Sequence, residues 1–178
     1  MTQLRIYREP EHPRLELEST LPIEIAELLE EVGVPYQHLQ LDAKSVGQAD
    51  FPAELTRMVA QDYPQFPLKT CARVILQEPY PGYDRIRMKY LSEHTSEQDE
   101  AYLVVDGRCQ LNIHHQGKVF QLECEPGDFF LVPAQVLHWI DFGERAQLSL
   151  IRCNVDNEMP VINYTGSQLS DRFPRMGS

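Results

Sequence analysis

The sequence predicts a mainly β protein: a small barrel or sandwich of short strands, with a few helices outside it. Two observations carry that expectation. Between residues 88 and 142 short runs alternate apolar with polar residues, and each stops at a turn signal: Asp106-Gly107, Gln116-Gly117, then Pro126-Gly127-Asp128. Evenly spaced short strands parted by such turns build sandwiches and small barrels. A clear three-and-four apolar repeat, the mark of a helix, is confined to stretches nearer the start.

Taken in order, residues 1–18 are polar. LRIY, residues 4–7, suits an edge strand, and Pro10 and Pro13 interrupt any helix. A helix is expected over 20–33. Ser19 or Thr20 can cap it, Pro22 suits its first turn, and Ile25, Leu28, Leu29 and Val32 form its inner face. Glu24, Glu27, Glu30 and Glu31 face out, and Gly33 is a natural left-handed stop. VPYQHLQLD, from Val34, alternates as a strand does. Asp50 and Pro52 open a second helix, 50–62, with Leu55, Met58 and Val59 inward and Tyr63-Pro64 closing it. TCARVIL, within 68–77, reads as a strand, and Pro79, Pro81 and Gly82 as a loop. YDRIRMKYL, residues 83–91, reads as helical first and extended later. The barrel core then spans roughly 68–154. Residues 155–178, with Pro160, Gly166 and Pro174, form a tail over its outside. No linker, repeat or low-complexity tract divides the chain, so residues 1–178 are expected to form one domain.

The net charge of −11 argues against nucleic-acid binding, because phosphate backbones would repel the chain. No twenty-residue apolar run and no basic start leading into an apolar segment occur, so neither a membrane span nor a secretory signal is expected. Cys71, Cys109, Cys124 and Cys153 lie far apart with no CxxC. They are expected to be reduced, in a cytoplasmic protein, filling small apolar positions.

The chemistry rests on His94, Glu100 and His138. Two imidazoles and one carboxylate, with positions left open, form the set that oxygen-activating non-haem iron sites use. By the two-residue period of a strand, Glu100, Tyr102 and Val104 share one face, and Ala101, Leu103 and Val105 the other. His114 and His115 sit at a hairpin end and are expected to be solvated. His12 and His38 receive no role. Trp139 is either a packing residue or a pocket contact.

The spacing resembles the two cupin motifs. His94 stands six residues before Glu100, and six more separate Glu100 from Gly107. In the second motif five residues separate Gly127 from Pro133, and His138 follows five positions on. More closely, EHTSEQDEAYLVVDG, ECEPGDFFLVPAQVLHWID and the closing YTGSQLSDRFPR resemble the acireductone dioxygenase family. The likeness is strongest over 86–142 and weaker over the first 80 residues. It implies a cupin fold, a double-stranded β-helix or jelly-roll barrel with peripheral helices. It also implies a divalent metal, Fe(II) first, with Ni(II), Mn(II), Co(II) or Zn(II) as alternatives, held by His94, Glu100 and His138. The partners implied are dioxygen and a small oxygen-chelating substrate, and the protein would be a monomer or a homodimer.

Two positions depart from the family pattern. Ser96 stands where the family carries a second histidine of the first motif, so a weak hydroxyl replaces a fourth ligand. Tyr102 stands where the family carries an arginine that holds the anionic substrate, and a tyrosine, neutral near pH 7, cannot clamp an anion. Tyr90 and Ile140 fall where the family carries pocket phenylalanines. Three readings follow. The first is a metal-dependent dioxygenase cleaving an acireductone-like enediol, as in methionine salvage. The second is a metal-cupin isomerase or lyase, with Tyr102 as proton donor and Glu93 orienting a ligand. The third is a cupin that binds a ligand or partner without turnover.

Overall fold

The computed structural model describes residues 1–8 and 11–176; Pro10 lies outside them. The elements follow in the order β1 (Gln3–Arg8), β2 (Arg14–Ser19), α1 (Pro22–Glu30), β3 (Tyr36–His38), α2 (Ala43–Val46), α3 (Phe51–Asp62), β4 (Thr70–Gln77), α4 (Tyr83–Leu91), β5 (His94–Ser96), β6 (Glu100–Gly107), β7 (Cys109–His115), β8 (Lys118–Cys124), β9 (Asp128–Val132), β10 (His138–Asp141), β11 (Gln147–Asn154), β12 (Ile162–Tyr164) and a 3-10 turn at Leu169–Arg172. The strands pair into two antiparallel sheets. One runs β12-β5-β10-β7-β8-β1-β2, the other β3-β9-β6-β11-β4.

Alternation along each strand builds three apolar layers. Leu111, Ile113, Phe120, Leu122 and Ile140 of the larger sheet meet Tyr102, Val104, Phe130, Val132 and Leu150 of the smaller one in the main core. The opposite face of the smaller sheet, with Ala101, Leu103, Phe129, Leu131 and Ile151, is covered by Leu55 and Val59 of α3. The opposite face of the larger sheet carries Val119 and Trp139, covered by Leu169 and Phe173 of the tail. The two faces of β6 therefore divide as the two-residue period predicts.

The first helix forms where its apolar repeat requires, and Gly33 adopts a positive φ of 74° just beyond it. Three local expectations are corrected. LRIY is not an edge: β1 lies between β8 and β2, because Leu4 and Ile6 both enter the main core. Residues 83–91 are helical throughout. Tyr83, Ile86 and Tyr90, spaced by three and four, turn toward the core, a helical repeat that the interleaved charges obscure. Cys71 and Cys153, expected to be reduced, are direct partners across β4 and β11 and form a disulfide. Their separation of 82 residues leaves no local mark in the sequence. Cys109 and Cys124 are free and buried, as small apolar groups would be.

Candidate metal centre

β5 and β10 bring His94 and His138 together. They are direct partners in the antiparallel pairing, and their ring centroids stand 4.4 Å apart. Each ring is fixed in the same way. His94 Nδ1 lies 2.7 Å from the Ser92 carbonyl oxygen, and His138 Nδ1 lies 2.8 Å from that of Val136. A carbonyl oxygen only accepts, so each Nδ1 carries the proton and donates it, leaving Nε2 with the lone pair. Burial pushes both pKa values down: His94 falls below the usual 6.5, and His138, which also feels His94, falls to about 3. Both imidazoles are therefore neutral near pH 7. Metals bind this form, and an outer partner on the other nitrogen is what fixes the tautomer of a ligand histidine.

Glu100 starts β6 on the same face as Tyr102. Its Oε1 accepts a hydrogen bond from the Tyr102 hydroxyl at 3.1 Å and pairs with Nη2 of Arg152. Among the described residues, no three His, Cys, Asp or Glu side chains stand close enough to hold a metal ion in this arrangement. The two imidazoles are side by side, and the carboxylate is drawn toward Arg152. Ser96 is buried two positions beyond His94 in β5, and its Oγ accepts from the Gln98 amide at 3.3 Å. The donor set fits a divalent cation chemically: two neutral nitrogens, one carboxylate and a neighbouring hydroxyl.

Arg152 escaped the reading of the sequence. It lies in β11 directly opposite Tyr102, with its guanidinium carbon 6.0 Å from the Tyr102 ring centroid. Its side chain is 11% exposed. Burial alone would lower its pKa, but Tyr102, Tyr90 and Glu100 together raise it, so the charge persists. A cation thus reaches the neighbourhood of position 102 from the next strand. The signal was present: in LSLIRCN the two-residue period puts Arg152 on the face of Leu148 and Leu150, a lone charge in an apolar run. Tyr102 itself is a poor acid. Burial first, and the Glu100 charge next, hold its pKa well above 10, and its proton is already donated to Glu100.

Glu93, read as a group that orients a ligand, bonds neither imidazole. His114 Nδ1 donates to its Oε2 at 2.7 Å and Thr165 Oγ1 to its Oε1 at 2.8 Å. Being adjacent to His94 in sequence, it points to the other side of the chain, where it pins the tail. His114, expected to be solvated, is accordingly half-buried. His38, given no role, meets Asp128 Oδ1 at 2.9 Å. Trp139 packs under the tail against Phe173, away from the main core that holds its neighbour Ile140.

A cavity of about 280 Å³ borders this site. Ile86, Tyr90, Tyr102, Phe142, Leu150 and Arg152 are among the residues that line it, and Ile140 is not. Tyr90 stands edge-on to His94, with centroids 6.2 Å apart, and Arg152 holds Glu100, so the cavity touches the candidate ligands through both. A larger hollow of about 490 Å³ lies beside α1 and the end of α3, lined by Tyr36, Tyr63 and Phe66 among others. Neither hollow is lined by an imidazole, but only the smaller one is lined by residues in contact with His94 or Glu100. The smaller cavity is thus the one that adjoins the candidate ligands, through Tyr90 and Arg152.

Comparison with known proteins gives consistent matches. The model of the family described as ARD/ARD' matches residues 3–161. An acireductone dioxygenase of Synechococcus sp. (strain RCC307) is 34% identical over the whole of both chains. Another, of Aquifex aeolicus (strain VF5), is 30% identical over 98% of this chain and 96% of its own. Among solved structures, an acireductone dioxygenase from Bacillus anthracis with a cadmium ion in its active centre superposes with a TM-score of 0.72. It covers 90% of this chain and 98% of its own at 23% identity. The two-sheet barrel is therefore a cupin fold.

Proposed function

The chain belongs to the acireductone dioxygenase family, and from that premise we propose that it is a metal-dependent dioxygenase that oxidatively cleaves an acireductone-like enediol in methionine salvage. The observation that carries this reading is the pair of neutral imidazoles, tautomer-fixed and side by side, joined through Tyr90 and Glu100 to an apolar cavity lined by a largely buried arginine. In this reading His94 and His138 hold the metal through Nε2 and Glu100 through its carboxylate, with Ser96 at the place of a fourth ligand. Fe(II) is the working metal. When bound, it supplies Lewis acidity toward the two enediol oxygens and electron exchange with dioxygen.

The chain's own residues do the rest. Ile86, Phe142 and Leu150 give the cavity apolar walls that keep water from a reactive enediolate. Arg152 faces the anionic oxygen of the substrate, a role its fork of donors suits. Tyr102 steadies Glu100 by donating to Oε1. Residues 1–178 work as one domain, in the cytoplasm, as a monomer or homodimer. The test is metal content after chelator-free purification, followed by oxygen uptake on acireductone. One bound metal per chain and uptake with iron are expected; an iron-loaded protein that consumes no oxygen would overturn the reading.

A further inference from the structure

We propose that Glu100 is shared between Arg152 and the metal, so that metal binding releases Arg152 to an anionic ligand and the two bind cooperatively. This rests on the reading that Glu100 is a metal ligand.

Three observations support it. First, the contacts on Glu100 from Arg152 and Tyr102 both fall on Oε1. A metal that takes this carboxylate through Oε1, or through both oxygens, must compete with the guanidinium. Second, Arg152 is incompletely satisfied for a largely buried cation. Of its nitrogens, Nη2 meets Glu100 and Nη1 meets the thioether sulfur of Met159 at 3.0 Å; the Tyr90 hydroxyl also reaches the guanidinium, and among the described residues the buried Nε has no partner. A thioether is a weak acceptor and a phenol a neutral one, so with Glu100 as the charged acceptor shown on five N–H groups the fork keeps donors for an anion. Third, the charges do not balance without one. A divalent metal on Glu100 leaves two positive groups, metal and guanidinium, with a single carboxylate between them. A buried charge whose partner is removed is strongly destabilising. An anionic ligand in the cavity that Arg152 lines restores the balance. Linkage then requires that the anion raise metal affinity by the factor by which the metal raises anion affinity.

The pair therefore acts as a placeholder. In the metal-free protein it keeps a buried carboxylate, and a guanidinium at the edge of an apolar cavity, from standing alone. In the loaded protein the same guanidinium becomes a positioning group for the substrate oxyanion.

The experiment measures Zn(II) affinity by chelator competition, with zinc alone as probe, for wild type, Arg152→Gln, Arg152→Lys and Glu100→Gln. Arg152→Gln removes the competitor and is expected to bind zinc at least about fivefold tighter, with Arg152→Lys close to wild type. Unchanged or weaker binding by Arg152→Gln, with Glu100→Gln weakened, overturns the proposal while leaving Glu100 a ligand. Unchanged binding by Glu100→Gln overturns the parent reading instead. If Arg152→Gln fails to fold, wild type decides the matter. The ¹⁵N signal of the Arg152 side chain, identified by its loss in Arg152→Lys, must move on zinc titration, and a signal that stays in place overturns the exchange.

Discussion

Tyr102 and Arg152 face each other across β6 and β11, and a carboxylate bridges them. Restoring the family's arginine at position 102 would therefore place a second guanidinium beside the first. Unit charges a few ångströms apart repel by roughly 3 kcal/mol at an effective dielectric of 20. Tyr102→Arg is expected to destabilise the metal-free protein by about that amount in urea denaturation. The exchange variant, Tyr102→Arg with Arg152→Tyr, is expected to recover most of the loss. A single variant as stable as wild type would mean that Glu100 accommodates both cations. The substitution at 102 is thus not a simple deletion of positive charge, since the strand beside it carries the cation into the same cavity.

At the scale of elements, one carboxylate ties α4 to two other parts of the fold. Asp141, buried at the end of β10, accepts from Arg87 Nε at 2.9 Å and Nη2 at 3.1 Å, from the Gly143 amide at 2.9 Å and from the Met176 amide at 3.1 Å. It ties the helix that carries Tyr90 to the strand that carries His138 and to the tail. Asp141→Ala strands the Arg87 charge and is expected to cost about 3 kcal/mol in urea denaturation. It should also open residues 83–91 to proteolysis before the rest of the chain. A variant that loses stability without faster cleavage in α4 would place the anchor elsewhere. Much at this scale was legible. Ile25 and Leu29 announced α1, Leu55 and Val59 announced α3, and the alternation from Glu100 to Val104 divided the faces of β6. Apart from the second half of α4, whose repeat is masked by its own charges, what escaped depends on pairing between distant segments. Arg152 meets Glu100 only because β11 lies against β6 with a register shift between Ser149 and Leu150, and no local pattern encodes that shift. His114 finds Glu93 for the same kind of reason, a contact between segments 21 residues apart.

For the molecule as a whole, the Cys71–Cys153 bond fastens β4, the last strand of the smaller sheet, to its neighbour. Cross-linking residues 82 apart removes chain entropy from the unfolded state, about 4 kcal/mol in the loop-closure account. Reduction, or the double change Cys71→Ser with Cys153→Ser, is expected to lower stability by up to that amount; equal midpoints with and without reductant would show that the bond contributes nothing in solution. A second long-range dependence has a different outcome. β5 meets β10 only at His94 and His138, yet β12 runs along its other side, with Tyr164 opposite His94 and Ile162 opposite Ser96. The strand that sets the first imidazole is thus braced by a segment far along the chain from it. Whatever loosens that brace loosens the first imidazole with it, so the geometry of the histidine pair depends on how residues 162–164 dock.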